Sequence, residues 1–159
     1  SAINSAQRSV YITNAYFAPA PEILTALESA ARRKVDVELV LPGVSDNWLP
    51  LNAGRSHYAK LLDAGVKIFQ RKYAMLHAKT SVIDDVWSTI GSTNLDWRST
   101  AINDEIDAVI LSKDFADQMR AQFERDKLDS VRITKEAWAR RPIMLRIKEW
   151  AARIWERFL

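Results

Sequence analysis

Strands that alternate with helices, one tight hairpin and a helical C-terminal stretch predict an α/β domain: a mixed β-sheet flanked by helices on both faces, with a C-terminal amphipathic helix. Three observations carry this. The chain has 159 residues, which suits one domain that buries roughly 70% of its unfolded surface. Its apolar residues, 48% of the total, recur with period two in some segments and at helical spacing in others. Residues 78–83 and 86–90 are the densest β stretches, and Asp84-Asp85 between them reads as a tight hairpin turn.

Residues 9–13 (Ser-Val-Tyr-Ile-Thr) are β-rich and predict a strand entering a Pro-bounded loop at 16–21. Over 22–34 the apolar positions Ile23, Leu24, Leu27, Ala30 and Ala31 recur at helical spacing. Residues 35–41 alternate Val35, Val37 and Leu39 with Asp36 and Glu38 before Pro42-Gly43 closes a second strand. A helix of about 14 residues is expected over 51–64, capped by Gly65, and a short strand over 66–70. After the hairpin, 103–111 predicts a strand whose almost wholly apolar end suits burial on both faces. Asp114 is the expected N-cap of a helix over 115–127. Thr134-Lys135-Glu136 starts a short helix, and Pro142 falls where the first position of another would lie. Beyond it Ile143, Ile147, Trp150, Ala151, Ile154, Trp155 and Phe158 form a wide apolar face, with Arg146, Glu149, Arg153 and Arg157 opposite.

Composition removes several classes of function. Without cysteine there are no disulfides, thiolate metal sites or Cys nucleophile. Plentiful apolar residues and a net charge of +3 argue against disorder. The charge is uneven: residues 132–159 hold eight Lys/Arg against three Glu, a net of +5, and three of the six tryptophans. Residues 1–131 hold fifteen Lys/Arg against seventeen Asp/Glu, a net of −2. The expected division is therefore a catalytic body, 1–131, and a basic amphipathic tail, 132–159. No apolar run approaches the ~20 residues that span a bilayer. Residues 1–8 lack the apolar core of a signal peptide, and a first residue other than Met fits a piece of a longer chain.

The chemistry-bearing constellation is His77-Ala78-Lys79-Thr80-Ser81-Val82-Ile83-Asp84. On a strand, i and i+2 face one side, so His77 and Lys79 are expected to present an imidazole and an ammonium in parallel. Gly91-Ser92-Thr93-Asn94 follows, where a Gly permits a sharp turn and Ser92 and Asn94 add neutral donors. An imidazole beside a fixed cation and amide donors suits phosphoryl chemistry: it can attack phosphorus or give a proton while Lys and Asn hold the oxygens.

These residues resemble the phospholipase D superfamily, whose motif is His-x-Lys-x4-Asp followed by a Gly-Ser-x-Asn turn. The longer run over 76–80, 87–99 and 103–105 is similar to the C-terminal catalytic half of bacterial cardiolipin synthases, over about residues 8–128, and Arg140-Arg141-Pro142 fits the same family. The resemblance implies a phosphohistidine intermediate, with a second motif's His protonating the departing alcohol. It places His77 in one of those two roles, Lys79 and Asn94 as phosphate clamps and Ser92 as a supporting donor. It makes Glu105 the carboxylate that orients the His ring through its other nitrogen, and Asp84 a positioning group. Tyr16 and Arg98 become substrate-side residues, although an ordinary ion pair would equally explain Arg98. No metal or cofactor is implied. Asp85 and Lys34 stand where the family usually has Gly, and Ala15 where a Pro often precedes Tyr16-Phe17.

The bland readings weigh differently at each position. His77 and Lys79 alone would pass for a satisfied strand histidine beside a solvated lysine; their register with Asp84, Ser92, Asn94 and Glu105 favours function. His57 has no such company and is expected on the surface, and turn chemistry explains Asp84-Asp85 better than a metal does. The basic tail suits packing on its own domain, a partner, or a membrane interface contacted by Trp150, Trp155, Phe158, Arg146 and Arg153. A nucleic-acid patch fits less well, because its basic residues alternate with a continuous apolar face. The expected function is phosphatidyl transfer from one phospholipid, through His, to the hydroxyl of a second such as phosphatidylglycerol, peripherally at the bacterial cytoplasmic membrane. With one motif in the chain, a second motif-bearing half or a homodimer mate must complete the site. The alternatives are a homodimeric phosphodiesterase or nuclease of the same superfamily, and a half with no activity by itself.

Overall fold

The computed structural model describes residues 2–72 and 75–154. A seven-stranded mixed sheet runs through the molecule in the order β6-β5-β4-β1-β2-β3-β7. Its centre is β1 (Ser9–Asn14), parallel to β2 (Asp36–Pro42), which is parallel to β3 (Lys67–Arg71). On the other side β4 (Lys79–Ile83), β5 (Trp87–Gly91) and β6 (Asp107–Leu111) form an antiparallel meander, and β7 (Ser130–Ile133) closes the β3 edge antiparallel.

Alternation sorts the strand residues between two faces. Val10, Ile12, Val37, Leu39, Leu41 and Ile68 point to the face covered by α1 (Ala2–Ser5), α2 (Pro21–Arg32) and α4 (Tyr58–Ala64). Tyr11, Val40 and Val82 point to the other face, against Ala116, Met119 and Phe123 of α6 (Lys113–Leu128). The hydroxyl of Ser112 caps α6 by accepting from the Phe115 amide at 3.3 Å. The cap therefore lies two residues before the expected Asp114, which instead sits in the first turn, where a carboxylate suits the helix dipole.

Four further expectations change. The helix expected over 51–64 is two helices, α3 (Trp48–Ser56) and α4, joined at His57. Both bury a face there, so His57 is buried (8% exposed) and not on the surface. The strand expected over 103–111 begins only at Asp107 and lies at the edge of the sheet, where Val109 and Leu111 are 58% and 72% exposed. Its apolar run has the composition of a doubly buried strand, but the meander places it last, with no strand beyond it. Finally, β7 runs across the expected 131/132 division. Beyond it α7 (Lys135–Ala139) seats Trp138 in the core with its ring 5.0 Å from Tyr58, and α8 (Ile143–Ile154) lies along α3.

Candidate active site

β4 positions the motif from both ends. His77 lies two residues before the strand, exposed, and Lys79 is the first residue of it, 9% exposed. The two are joined directly: Lys79 Nζ donates to the His77 carbonyl at 2.8 Å. A lysine carries three N–H donors, so this bond fixes the ammonium while leaving it directional capacity toward an anion. Burial lowers the Lys79 pKa below the ordinary lysine value, against the opposing pull of the Glu105 and Asp96 carboxylates.

The Gly-Ser-x-Asn turn is brought beside Lys79 by a residue that sequence reasoning missed. Asn14 ends β1 directly opposite Lys79. Its Oδ1 accepts from the Leu95 amide at 3.1 Å and from the Tyr16 amide at 3.3 Å, and its Nδ2 donates to the Thr93 carbonyl at 3.4 Å. Only strand pairing puts Asn14 there; nothing in the linear sequence marks it. Asn94 Nδ2 lies 3.5 Å from Ser99 Oγ, and its Oδ1 is buried without a partner among the described residues. Asp96, also missed, caps α5 (Trp97–Ala101) by accepting from the Ser99 amide at 2.7 Å, and burial raises its pKa.

Ser92 fastens this turn to the β6 side. Its hydroxyl donates to Glu105 and accepts from the Ile106 amide at 3.1 Å. Glu105 lies in the loop before β6 and is further bonded to Asn103 at 3.3 Å. The Ser92 hydrogen bond holds the Glu105 pKa below the usual carboxylate value. The carboxylate is thus engaged by Ser92 and Asn103, and the His77 ring meets the Tyr16 ring instead, edge-on with centroids 6.5 Å apart. Tyr16 in turn donates from its hydroxyl to Asp46 Oδ1 at 2.8 Å; this bond raises the tyrosine pKa and lowers that of Asp46. Asp46, which sequence reasoning did not select, therefore sets the ring that stands beside the imidazole.

Asp84 is not gathered with these groups. It sits at the far end of β4, about 17 Å from Lys79 at ~3.4 Å per residue. There three residues separate the paired Ile83 and Trp87; the first two, Asp84 (φ 53°) and Asp85 (φ 56°), are left-handed, and the Val86 amide donates to the Ile83 carbonyl at 3.3 Å. The Asp84 carboxylate accepts the amides of Gln7, Arg8 and Ser9 at 2.9, 2.7 and 2.9 Å. Burial opposes its charge, yet these three donors hold its pKa below the ordinary value. Asp85 pairs with Arg120 at 3.2 Å. The acids of the turn are thus ligated by the protein itself, and no group of three or more metal-ligating side chains occurs among the described residues. Arg98 projects from α5, exposed. Trp155 and Phe158 lie outside the described residues.

The β4–β5 strand pair is only partly covered on one face among the described residues: Ile83 is buried and Trp87 half-buried there, while Val109 on the neighbouring β6 is exposed. Ser81, Thr89 and Val109 stand in one cross-strand row with Ile12, and Ile83, Trp87 and Leu111 in another with Val10. α2 and α4 cover the β1–β2–β3 part of this face; over β4 and β5 there is a hollow of about 340 Å³, lined among others by Asn14, Lys79, Ser81, Trp87, Thr89 and Asp107.

Residues 1–127 match the family model described as "Cardiolipin synthase, PLD-like domain". The chain is 39% identical over 152 residues to cardiolipin synthase 1 of Staphylococcus epidermidis, covering 96% of this chain and 31% of that protein. It is 40% identical over 149 residues to cardiolipin synthase A of Buchnera aphidicola, covering 94% and 31%. The chain thus spans about a third of the length of these curated relatives. Among solved structures, Nuc of Salmonella typhimurium, a phospholipase D family member, superposes with a TM-score of 0.72 at 24% identity, covering 84% of this chain and 86% of that one. Phosphatidylserine synthase of Haemophilus influenzae superposes at 0.73 and 14% identity, covering 99% and 43%. At these identities the superpositions speak to the fold.

Proposed function

Because the chain belongs to the PLD-like domain family of cardiolipin synthases, we propose that it supplies one of two motif-bearing halves of a phosphatidyltransferase. The observation that carries this reading is the His77–Lys79 unit: an exposed imidazole whose own carbonyl fixes a largely buried ammonium, beside a turn where the Asn94 Nδ2 donor has only a long contact of 3.5 Å to Ser99 Oγ. That arrangement favours a phosphodiester at the ring, with Lys79 and Asn94 on the non-bridging oxygens, where charge grows in the transition state.

In the reaction, one imidazole nitrogen forms a bond to phosphorus as the bond to the leaving alcohol breaks, and a second imidazole gives that alkoxide its proton. The hydroxyl of an acceptor phospholipid such as phosphatidylglycerol then returns a proton to the second imidazole and displaces the first from phosphorus. His77 takes one of these two roles. His57 cannot take the other, since it is buried where α3 meets α4. The second imidazole therefore comes from another half, either elsewhere in a longer chain or from a homodimer mate. The partly covered face over β4, β5 and β6 supports docking of that half, because Val109 and Leu111 are exposed there and the hollow beside them opens onto Lys79. The reaction runs peripherally at the bacterial cytoplasmic membrane; among the described residues no helix is long and apolar enough to cross a bilayer.

The test is His77→Ala in the protein with both motifs, incubated with phosphatidylglycerol vesicles while cardiolipin and glycerol are followed, beside a DNA-cleavage control. Loss of roughly 10³-fold in turnover with an unchanged melting temperature is expected. Undiminished cardiolipin synthesis would refute the role of His77, and DNA cleavage without cardiolipin would move the site to the nuclease branch.

A further inference from the structure

An amphipathic helix on a globular domain ordinarily turns its apolar stripe inward. α8 does the reverse. Ile143, Ile147, Trp150 and Ile154 share one stripe at 100° per residue, and each is between 54% and 71% exposed. The side that packs on α3 holds Glu149 and Ala152, 3% and 0% exposed, with Ala152 against Ala18, Ala53 and Leu49. The rotation of the helix about its own axis is fixed by a buried ion pair. Arg141 meets Glu149 with Nε at 3.0 Å and Nη2 at 2.7 Å, while its guanidinium lies 4.5 Å over the Trp138 ring. Turning the stripe inward would carry Glu149 away from Arg141 and leave that largely buried guanidinium without its carboxylate, so the outward orientation is built in.

Charge and aromatic chemistry select the occupant of that stripe. Arg146 and Arg153, both exposed, fall together along one flank of it. Apolar side chains with a tryptophan beside a basic flank match a bilayer interface, where the rings and aliphatic groups enter below the headgroups and the cations meet anionic phosphates. The helix also neighbours the reaction. α3, on which it packs, begins at Trp48, 58% exposed, and the loop leading into α3 carries Asp46, which holds Tyr16 beside the His77 ring.

We propose that the outward stripe of α8, together with Trp48, is an interfacial docking surface for an anionic phospholipid bilayer, placed so that the mouth of the His77 site opens beside the headgroups. This rests on the phosphatidyl-transfer reading only for the statement that the substrate lies in the same bilayer.

The experiment is flotation of the chain with vesicles of phosphatidylglycerol and phosphatidylcholine, and with phosphatidylcholine alone. Ile147→Glu with Trp150→Glu, both at exposed positions, is expected to lower binding to the mixed vesicles at least tenfold with an unchanged melting temperature. Arg146→Glu with Arg153→Glu is expected to abolish the preference for the anionic vesicles and to flatten the salt dependence. Brominated lipids should quench wild-type fluorescence more than that of Trp150→Phe, a readout that survives if the glutamate variant fails to fold. Undiminished binding by the glutamate variant, or quenching equal in wild type and Trp150→Phe, overturns the proposal. So does a wild-type dimer that the glutamate variant converts to monomer with vesicle binding absent in both. His77→Ala must bind vesicles as wild type does, which separates failure of docking from failure of the transfer chemistry.

Discussion

On the β1–β2–β3 wing of the sheet both faces are covered: Leu39, Leu41 and Ile68 are fully buried beneath Leu27 and Leu61 of α2 and α4, and Val40 is fully buried on the α6 face. On the β4–β5–β6 wing one face is covered only in part among the described residues, with Ile83 buried but Val109 and Leu111 exposed, and hydrogen bonds fasten its turns. Asp84 gathers three amides of the N-terminal segment, Ser92 clasps Glu105 and Ile106, and Thr93 donates to Asp107 at 3.3 Å. The motif residues all sit on or beside the second wing. Burial is non-directional and gives rigidity, whereas a site open to a substrate needs accessible surface with its groups held by directional bonds.

The largest expected contrast lies in the apolar positions of the two wings. Leu39→Ala should cost about 3 kcal/mol, because it opens a cavity among side chains that cannot collapse into it. Leu111→Ser on the partly covered wing should change the stability of the chain by less than about 0.5 kcal/mol, yet weaken association with the second half. Urea unfolding gives the first quantities and sedimentation with the other half gives the last. Equal destabilisation by the two substitutions would show that the edge strand is packed and would break the contrast.

The same division explains how far the sequence could be read. The covered wing was legible because period-two and helical spacing both report burial directly: the strands at 9–13 and 35–41 and the helix over 22–34 appear within a residue or two of their expected limits. The hairpin was legible because turn chemistry is local. The β6 edge was not, since an apolar run reports only that some surface will cover it, not whether that surface belongs to the same chain. The site shows the same limit. His77, Lys79, Ser92 and Asn94 announce themselves by type and spacing, but Asn14 and Asp46 act through strand pairing and a loop contact that no spacing encodes. Glu105 was expected to orient the His77 ring, and its hydrogen bonds to Ser92 and Asn103 were not foreseen.

Acid should distinguish the wings next. The Asp84 carboxylate has a folded pKa below its unfolded value, so its stabilisation is present above about pH 4 and is lost as the pH falls through the folded value. Asp84→Asn retains one acceptor oxygen and tolerates the left-handed backbone, and should cost about 1–2 kcal/mol at neutral pH. It should also flatten the acid limb of the stability profile between about pH 5 and 2, measured by urea unfolding at each pH. Vanadate binding at His77 and Lys79 should be unchanged, because Asp84 lies at the opposite end of β4. A loss of anion affinity in this variant would draw Asp84 into the site.

The smallest effect is a test of backbone strain on the covered wing. Lys34 follows α2 with φ 72°, the left-handed conformation in which a side chain costs about 1–2 kcal/mol. Gly65 follows α4 with φ 104°, and no atom lies within 4 Å of where its Cβ would be. Lys34→Gly removes the side-chain strain but adds freedom to the unfolded chain, which returns about 0.5–1 kcal/mol of the gain. A net stabilisation of about 0.5–1 kcal/mol is expected, and Gly65→Ala should destabilise by about 1 kcal/mol for backbone reasons alone. Opposite signs in thermal or urea unfolding would show that the helix-to-strand turns of the covered wing carry strain independent of its packing. A destabilising Lys34→Gly would instead mean that the lysine side chain contributes a contact larger than the strain it imposes.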